Sequence, residues 1–166
     1  DANVTTAKIA DNAVTSAKLA SGLALGKIGQ VVTATTSTLV SNTSSTYADV
    51  GLSASITPSA TSSKIYVMVS ASVGGNTGSA NNILGLTRLV RTSTEIAEYV
   101  GIRIDSVTGI FGFSCSYTDL DSPSTASAVT YKVQQKLDTG GSSRAIGFCF
   151  ENRLATLTLM EILAWA

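Results

Sequence analysis

Few residues in this chain have side chains that could do catalytic chemistry, and their types exclude the common mechanisms. The sequence contains 11 acidic and 11 basic residues and no histidine. Without an imidazole, the Ser-His-Asp and Cys-His arrangements that activate a nucleophile cannot form. Glu95 and Glu98 are three residues apart, so on a strand they point to opposite faces and do not make the facing pair that glycoside hydrolysis needs. We expect no catalytic site and a protein that is not an enzyme.

Two further carboxylates lie close together in a segment that contains a proline. Asp119 and Asp121 belong to residues 117–123, which we interpret as a loop. Aspartates in such loops usually accept hydrogen bonds from nearby backbone N–H groups. A weak Ca²⁺ site is the alternative, because hard cations bind carboxylates and loop carbonyls. We predict that these residues cap a turn and that the chain holds no metal and no cofactor.

The two cysteines, Cys115 and Cys149, are too few for a disulfide framework. Each is surrounded in the sequence by aromatic residues, an environment in which a thiol acts as a small apolar side chain. We predict two unpaired cysteines, with one disulfide between neighbouring strands as the alternative. A zinc site is not expected, because two thiols without histidine fill only half of a tetrahedron.

The composition limits the classes of partner. Only 13% of the residues are charged, the net charge is zero, and Ser and Thr together supply 45 of the 166 residues. A protein that binds nucleic-acid phosphates or anionic membrane surfaces needs surplus Lys and Arg, so we predict no nucleic-acid partner. No apolar run approaches the roughly 20 residues of a membrane helix, so we predict no membrane insertion. With 44% apolar residues the chain can still build a core.

The N-terminal part of the chain contains a repeat. Residues 4–10 read Val-Thr-Thr-Ala-Lys-Ile-Ala, and residues 14–20 read Val-Thr-Ser-Ala-Lys-Leu-Ala. Units of this length are too short to fold alone and need stacked copies or the same segment of other chains. We predict an oligomeric stalk or anchor over residues 1–29, with a flexible linker as the alternative.

From Gln30 onward, apolar residues recur at every second position, which is typical of half-buried strands. The alternating runs lie at residues 65–73, 100–104, 111–117, 129–137 and 157–163. Turn residues separate the runs, and we place Gly74-Gly75 and Gly140-Gly141 in hairpin turns. About eight to ten short strands predict an all-β fold, an antiparallel β-sandwich or jelly-roll head over residues 30–166.

Charged residues within the predicted strands are interpreted as surface features. Arg88 and Arg91 point to opposite faces of their strand and form no basic patch. Lys132 and Lys136 lie on the solvent face of another strand, together with Gln134, where protection of a sheet edge explains them.

The last strand runs apolar to the end of the sequence, from Leu157 to Ala166. Such an end leaves an apolar patch unless neighbouring strands or another subunit cover it. We predict a central strand, a subunit interface, or both.

These residues carry a resemblance to a known family. Residues 4–11 and 13–20 resemble the shaft repeats of bacteriophage fibre proteins. Residues 57–69, residues 120–124 with 130–134, and residues 157–162 are similar to strands in the small C-terminal heads of tailed-phage fibres.

The resemblance implies a homotrimer in which three N-terminal stretches form a stalk below three jelly-roll heads. It implies a location on the virion surface, as a tail fibre or head fibre. The expected partners are other virion proteins at the N-terminus and a host-surface glycan or protein at the head. The family provides no catalytic residues. Because only two clear repeats are present, we expect a truncated fibre tip or a short capsid-bound fibre.

The leading hypothesis is therefore a non-enzymatic, structural phage fibre whose β head contacts the host. A capsid decoration or cement protein and a monomeric carbohydrate-binding module are the alternatives. Polar loops suit the hydroxyl groups of sugars, and the candidate ligand contacts are Asn76, Thr77, Asn81, Asn82, Asp119 and Asp121.

Overall fold

The computed structural model describes residues 28–77, 82–105, 107–138 and 144–163. Within these ranges there are ten strands: β1 (Ile28–Thr36), β2 (Val40–Asn42), β3 (Ala48–Ile56), β4 (Lys64–Asn76), β5 (Ile83–Arg91), β6 (Thr94–Ile104), β7 (Ile110–Asp121), β8 (Val129–Leu137), β9 (Ala145–Phe148) and β10 (Ala155–Ile162). One 3-10 turn, Phe150–Asn152, separates β9 from β10. The predicted repeats, Gly140 and Gly141 lie outside the described residues, as does the end of the chain after Leu163.

The strands form two antiparallel sheets. In the first sheet, β10 and β9 follow each other along one side of β4, with β1 and β2 outside them and β7 on the other side of β4. The second sheet has the order β3-β8-β5-β6. If β1 with β2 and β9 with β10 are each counted as one interrupted strand, the first strand lies beside the last and each sheet has four strands. This is the double Greek key of a jelly roll, which confirms the predicted fold class.

The core lies between the sheets and follows the predicted alternation. In β8, Val129, Tyr131, Val133 and Leu137 are buried, and so is Gln135. The alternating apolar residues of β4 and β10 are buried against them. Burying such side chains is worth about 1.5–3 kcal/mol each, so these positions determine which face of each strand points inward.

The last strand is central. β10 pairs with β1 on one side and with β4 on the other, which confirms the predicted central position for the described part, up to Ile162. Leu157 and Leu159 are fully buried.

Three predictions about individual strands are wrong. Asp119 and Asp121 belong to β7 rather than to a loop, because this strand pairs with β4 as far as the pair Ile65 and Asp121. Gly74 and Gly75 lie within β4 rather than in a hairpin turn, paired on both sides.

Lys132 and Lys136 do not protect an edge, because β8 is a central strand between β3 and β5.

Glu95 and Glu98 also depart from the prediction, since both reach the outer surface of the second sheet. Glu95 forms an ion pair with Arg88 at 2.7 Å, and Glu98 accepts a hydrogen bond from Tyr47. A bulge in β6 explains this, because the pairing shifts between Leu89 and Val90 of β5. One extra residue in a strand reverses the alternation beyond it. Arg88 and Arg91, in contrast, point to opposite faces as predicted, since Arg91 reaches an inward carboxylate.

Both cysteines are unpaired, as predicted. Cys149 is buried, and its thiol lies 3.5 Å from the carbonyl oxygen of Thr36 as a hydrogen-bond donor. Burial raises the pKa of both thiols, so they stay protonated and unreactive at neutral pH. In the ranges described here, no helix is long and apolar enough to cross a membrane.

A buried carboxylate joins three segments at one end of the sandwich. Glu161 of β10 is 1% exposed. Its Oε1 atom accepts hydrogen bonds from the backbone N–H and the hydroxyl of Ser59, both at 2.6 Å, and its Oε2 atom accepts one from Gln30 Nε2 at 2.8 Å. Gln30 also donates to the carbonyl of Thr57 at 2.7 Å. The carboxylate thus holds the β3–β4 connection against β1 and β10.

These hydrogen bonds decide the charge of Glu161. Burial alone would raise its pKa, but the donors on Ser59 and Gln30 favour the ionised form and lower the pKa to about 2. The folded pKa is below the unfolded value of about 4.3. The stabilisation is therefore complete above about pH 4.5 and is lost as the pH falls toward 2.

We predict that Glu161→Gln lowers the free energy of unfolding by about 2–3 kcal/mol at pH 7, because an amide cannot accept from all of these donors. Urea unfolding at pH 7 and pH 3 measures this, and the difference between wild type and variant should shrink at pH 3. Glu95→Gln is the control: it removes an ion pair whose carboxylate is 46% exposed and should cost under about 1 kcal/mol. An unchanged difference at the two pH values would contradict the assignment.

Candidate functional site

The two outer surfaces of the sandwich differ in charge. The outer surface of the second sheet, here called the charged face, carries Asp49, Arg88, Glu95, Glu98, Lys132 and Lys136. Arg88 is near the centre: its guanidinium lies 3.9 Å from the ring centroid of Tyr47, and its Nε donates to Gln134 at 2.8 Å. Asp49 pairs with Lys132 at 2.9 Å. Opposite charges are matched within this network, so the charged face provides no unbalanced field for an anionic or cationic ligand.

The outer surface of the first sheet has three cross-strand rows without any charged residue. The rows are Val31, Met160, Tyr66 and Leu120; then Thr33, Thr158, Met68 and Thr118; then Thr35, Thr156, Ser70 and Ser116. We call the first two of them the uncharged face. Val31, Leu120 and Met68 are 54%, 50% and 39% exposed. Lys64 lies one row beyond, beside Ile28 and Ile162. Large exposed apolar side chains on a charge-free surface are typical of a protein contact.

Farther along the same sheet, three glycines form a flat platform under one aromatic ring. Gly147, Gly74 and Gly112 are paired neighbours on β9, β4 and β7. The ring of Phe150 lies across them, since a Cβ atom on Gly74 would be 2.2 Å from the ring and one on Gly112 would be 2.5 Å from it. Side chains at these positions would exclude the ring. The glycines therefore explain both the interruption between β9 and β10 and the position of Phe150.

The interruption is held in an unusual backbone conformation. Cys149, Glu151 and Asn152 all have positive φ values, between 56° and 57°. For residues other than glycine this costs about 1 kcal/mol or more each, and it persists only where the surroundings impose it. Here the buried Cys149 and the ring on the platform fix both sides of the turn.

An open groove of about 520 Å³ runs beside this turn. Its floor consists of Ser70 and Ser72 of β4 and Gly112 and Ser114 of β7, while the turn from Phe150 to Leu154 forms one wall. Glu151 and Arg153 lie at the rim, with Arg153 Nη2 at 3.7 Å from Glu151 Oε2. The groove combines hydroxyl groups, an aromatic ring and one pair of oppositely charged side chains, Glu151 and Arg153. It is the strongest candidate site of the described residues.

The predicted ligand contacts are divided between the two ends of β4 and β7. Asn76 and Thr77 lie at the end near Phe150, and Asn82 begins the segment that leads into β5. Thr77 is buried, and its hydroxyl accepts the backbone N–H of Gly109 at 2.9 Å. Asn81 lies outside the described residues.

Asp119 and Asp121 lie at the opposite end, about 35 Å away at ~3.3 Å per residue. Asp121 accepts hydrogen bonds from Arg91 at 2.5 Å and Tyr131 at 2.6 Å, which connects β7 to the second sheet. Asp119 accepts from Tyr99 at 3.3 Å, and burial, with that carboxylate nearby, raises the pKa of Tyr99 to about 12. The structure thus does not bring the two groups of candidates together, and a ligand contact at any of them stays a prediction.

The residues that form the groove were not among the candidates from the sequence. Ser70, Ser72 and Ser114 are the polar positions of alternating strands, and Phe150 follows a buried cysteine, so local patterns give no reason to select them. The signal that was present is glycine in the middle of strands, at Gly74 and Gly112, which marks a close approach of another group. In the residues described, no cluster of three or more acidic, cysteine or histidine side chains could hold a metal ion.

We predict that Gly112→Ala lowers the free energy of unfolding by about 1–3 kcal/mol, because its methyl group overlaps Phe150. All three near neighbours of the added Cβ belong to that ring. In a Phe150→Ala background the same substitution should cost less than about 0.5 kcal/mol. Urea unfolding of the wild type, the two single variants and the double variant gives the coupling. Equal costs in both backgrounds would show that the ring does not need the glycine.

No protein-family model and no curated protein sequence matches the chain. Over 83% of its length, the chain is similar to the structure of infectious bursal disease virus Gt strain, with a TM-score of 0.36 and 12% identity, and it covers 39% of that chain. Over 81% of its length, it is similar to the structure of the Gx strain, with a TM-score of 0.35 and 13% identity, covering 37% of that chain. The chain therefore spans about two fifths of each of these viral chains. At these TM-scores the likeness supports no conclusion about function.

Proposed function

We propose that this chain is a non-enzymatic structural protein of a virion, a trimeric fibre of the bacteriophage type whose jelly-roll head contacts the host surface. The observation that carries the proposal is the uncharged face beside the point where the N-terminal repeats join the head. The resemblance of those repeats to phage fibre shafts supports the same assignment.

The position of the repeats matters because it decides which surfaces of associated copies meet. Residues 1–27 precede Ile28, which pairs with Ile162 at the edge of the first sheet, next to the row of Val31 and Met160. If the repeats of several chains associate, this end of each head is brought next to its neighbours. The surface found there has exposed apolar side chains and no charge, as subunit interfaces do.

The charged face is the contrasting surface. It points away from the uncharged face, across the sandwich, and its ion pairs are partly solvent-exposed; Glu95 and Glu98 are 46% and 41% exposed. Desolvating such pairs would cost free energy. In an assembly the charged face is therefore expected to stay in water, and the uncharged face to be the contact.

We predict a solution mass near three times 17.0 kDa by light scattering of the full chain. Met68→Lys and Leu120→Lys should each reduce the mass toward that of a monomer, because they bury a charge in the proposed contact. Thr130→Lys, on the outer surface of the second sheet, is the matched control and should leave the mass unchanged. A monomeric wild type would contradict the trimer and favour a single-chain carbohydrate-binding module.

A capsid decoration or cement protein is the second candidate. The observation that favours it is that the repeats join the head at one end of the first sheet, near Ile28, while the groove beside Phe150 lies toward the other end. A chain anchored to a shell by residues 1–27 would present the opposite end to solvent.

A variant without residues 1–22 separates the two candidates. A decoration protein should lose binding to purified capsids with that deletion, because its anchor is gone. A fibre head should bind host cells with or without it, with weaker binding only through lost multivalency. Sedimentation with capsids and with host cells measures both. Loss of neither interaction would contradict an anchoring role for the repeats.

A further inference from the structure

We propose that the groove beside Phe150 is a binding site for a neutral saccharide. The proposal rests on the proposed function in one respect: it assigns a ligand class and a site to the head that contacts the host. The groove volume of about 520 Å³ is within the range of small-ligand sites.

The floor of the groove offers hydroxyl groups in a fixed arrangement. Ser70 and Ser72 belong to β4 and Ser114 to β7, and Ser72 and Ser114 are directly paired. None of these three hydroxyls is hydrogen-bonded to another residue of the described part, so each is free to donate to and accept from a ligand. A hydroxyl does both, which suits the mixed donors and acceptors of a sugar ring.

The wall of the groove offers an aromatic surface. Phe150 is only half-buried although its ring lies on the glycine platform, and Leu154 beside it is 64% exposed. Exposed apolar groups on the wall of a polar groove favour a ligand that has both kinds of surface. A pyranose ring is such a ligand, since its C–H face packs on an aromatic ring while its hydroxyls reach polar groups.

The charge at the rim selects against ionic ligands. Glu151 and Arg153 contribute one negative and one positive charge at 3.7 Å from each other. A phosphate or a carboxylate would meet Glu151 as closely as Arg153, whereas a neutral polyol can accept from the guanidinium and donate to the carboxylate.

The site is preorganised. Positive φ values at Cys149, Glu151 and Asn152 and the ring on Gly74 and Gly112 hold the wall in place before a ligand arrives. A wall that is already ordered loses little entropy on binding, so even weak sugar contacts give measurable affinity.

The test is binding of the full chain to an array of neutral and acidic oligosaccharides, followed by titration calorimetry with the best neutral one. Ser114→Leu fills the groove and Phe150→Leu removes the aromatic surface while keeping an apolar side chain. Each should weaken binding at least tenfold. Ser53→Leu, an exposed position on the outer surface of the second sheet, is the matched control and should bind as wild type does.

The outcomes distinguish this proposal from the proposed function. Binding confined to acidic oligosaccharides, no binding at all, or equal affinity in Ser114→Leu would overturn the saccharide site. If the chain is trimeric and adsorbs to host cells but binds no neutral saccharide, only the ligand assignment fails. If a monomeric chain binds one and both groove variants lose it, the groove stands and the fibre assignment fails.

Discussion

The contact between the Phe150 ring and the row of Gly147, Gly74 and Gly112 is the constraint on which the rest of the first sheet depends. It places an aromatic side chain where a strand would otherwise continue, so the last strand is divided into β9 and β10. The first strand, which lies beside the last one in the sheet, is divided at the same level into β1 and β2. The turn between β9 and β10 then provides the wall of the groove, and the sheet surface beside it provides the floor. With a side chain in place of Gly74 or Gly112, the jelly roll would have an ordinary flat surface here.

The two outer surfaces show how a chain with zero net charge can still direct its interactions. Six charged side chains are matched with each other on the outer surface of one sheet, while the outer surface of the other sheet has rows of hydroxyl and apolar groups. Two carboxylates that enter the interior are partnered across elements: Asp121 connects the two sheets through Arg91 and Tyr131, and Glu161 connects three segments at the end near Ile28. Such networks cost little when every acceptor has its donors, and they define the relative position of the sheets.

The sequence was sufficient for the fold class because alternation is a local signal. The inward residues of β4, β8 and β10 were predicted from it, and so were the unpaired cysteines. Features that depend on distant partners were not. Glu95 and Glu98 share a face because β6 has a bulge where it pairs with β5. Counting alternate residues along the sequence of β6 does not reveal this bulge. Gly74 and Gly75 carry the local signature of a turn, yet Gly74 is required by a ring from a segment far along the chain. The groove is assembled from β4, β7 and the turn after β9, so its serines had no distinguishing neighbours in the sequence.

The pairing of β1 with β10 has a mechanical consequence. Ile28 begins β1, and the ladder to β10 runs from there along the strand to Thr36. A pull on the chain before Ile28, with the far end of the sandwich held, acts along the strand axis and therefore across hydrogen bonds that lie perpendicular to it. All hydrogen bonds of the ladder therefore share the load in shear. They are not broken one after another from one end. The sandwich is thus connected to residues 1–27 by the geometry in which a β-sheet resists force best.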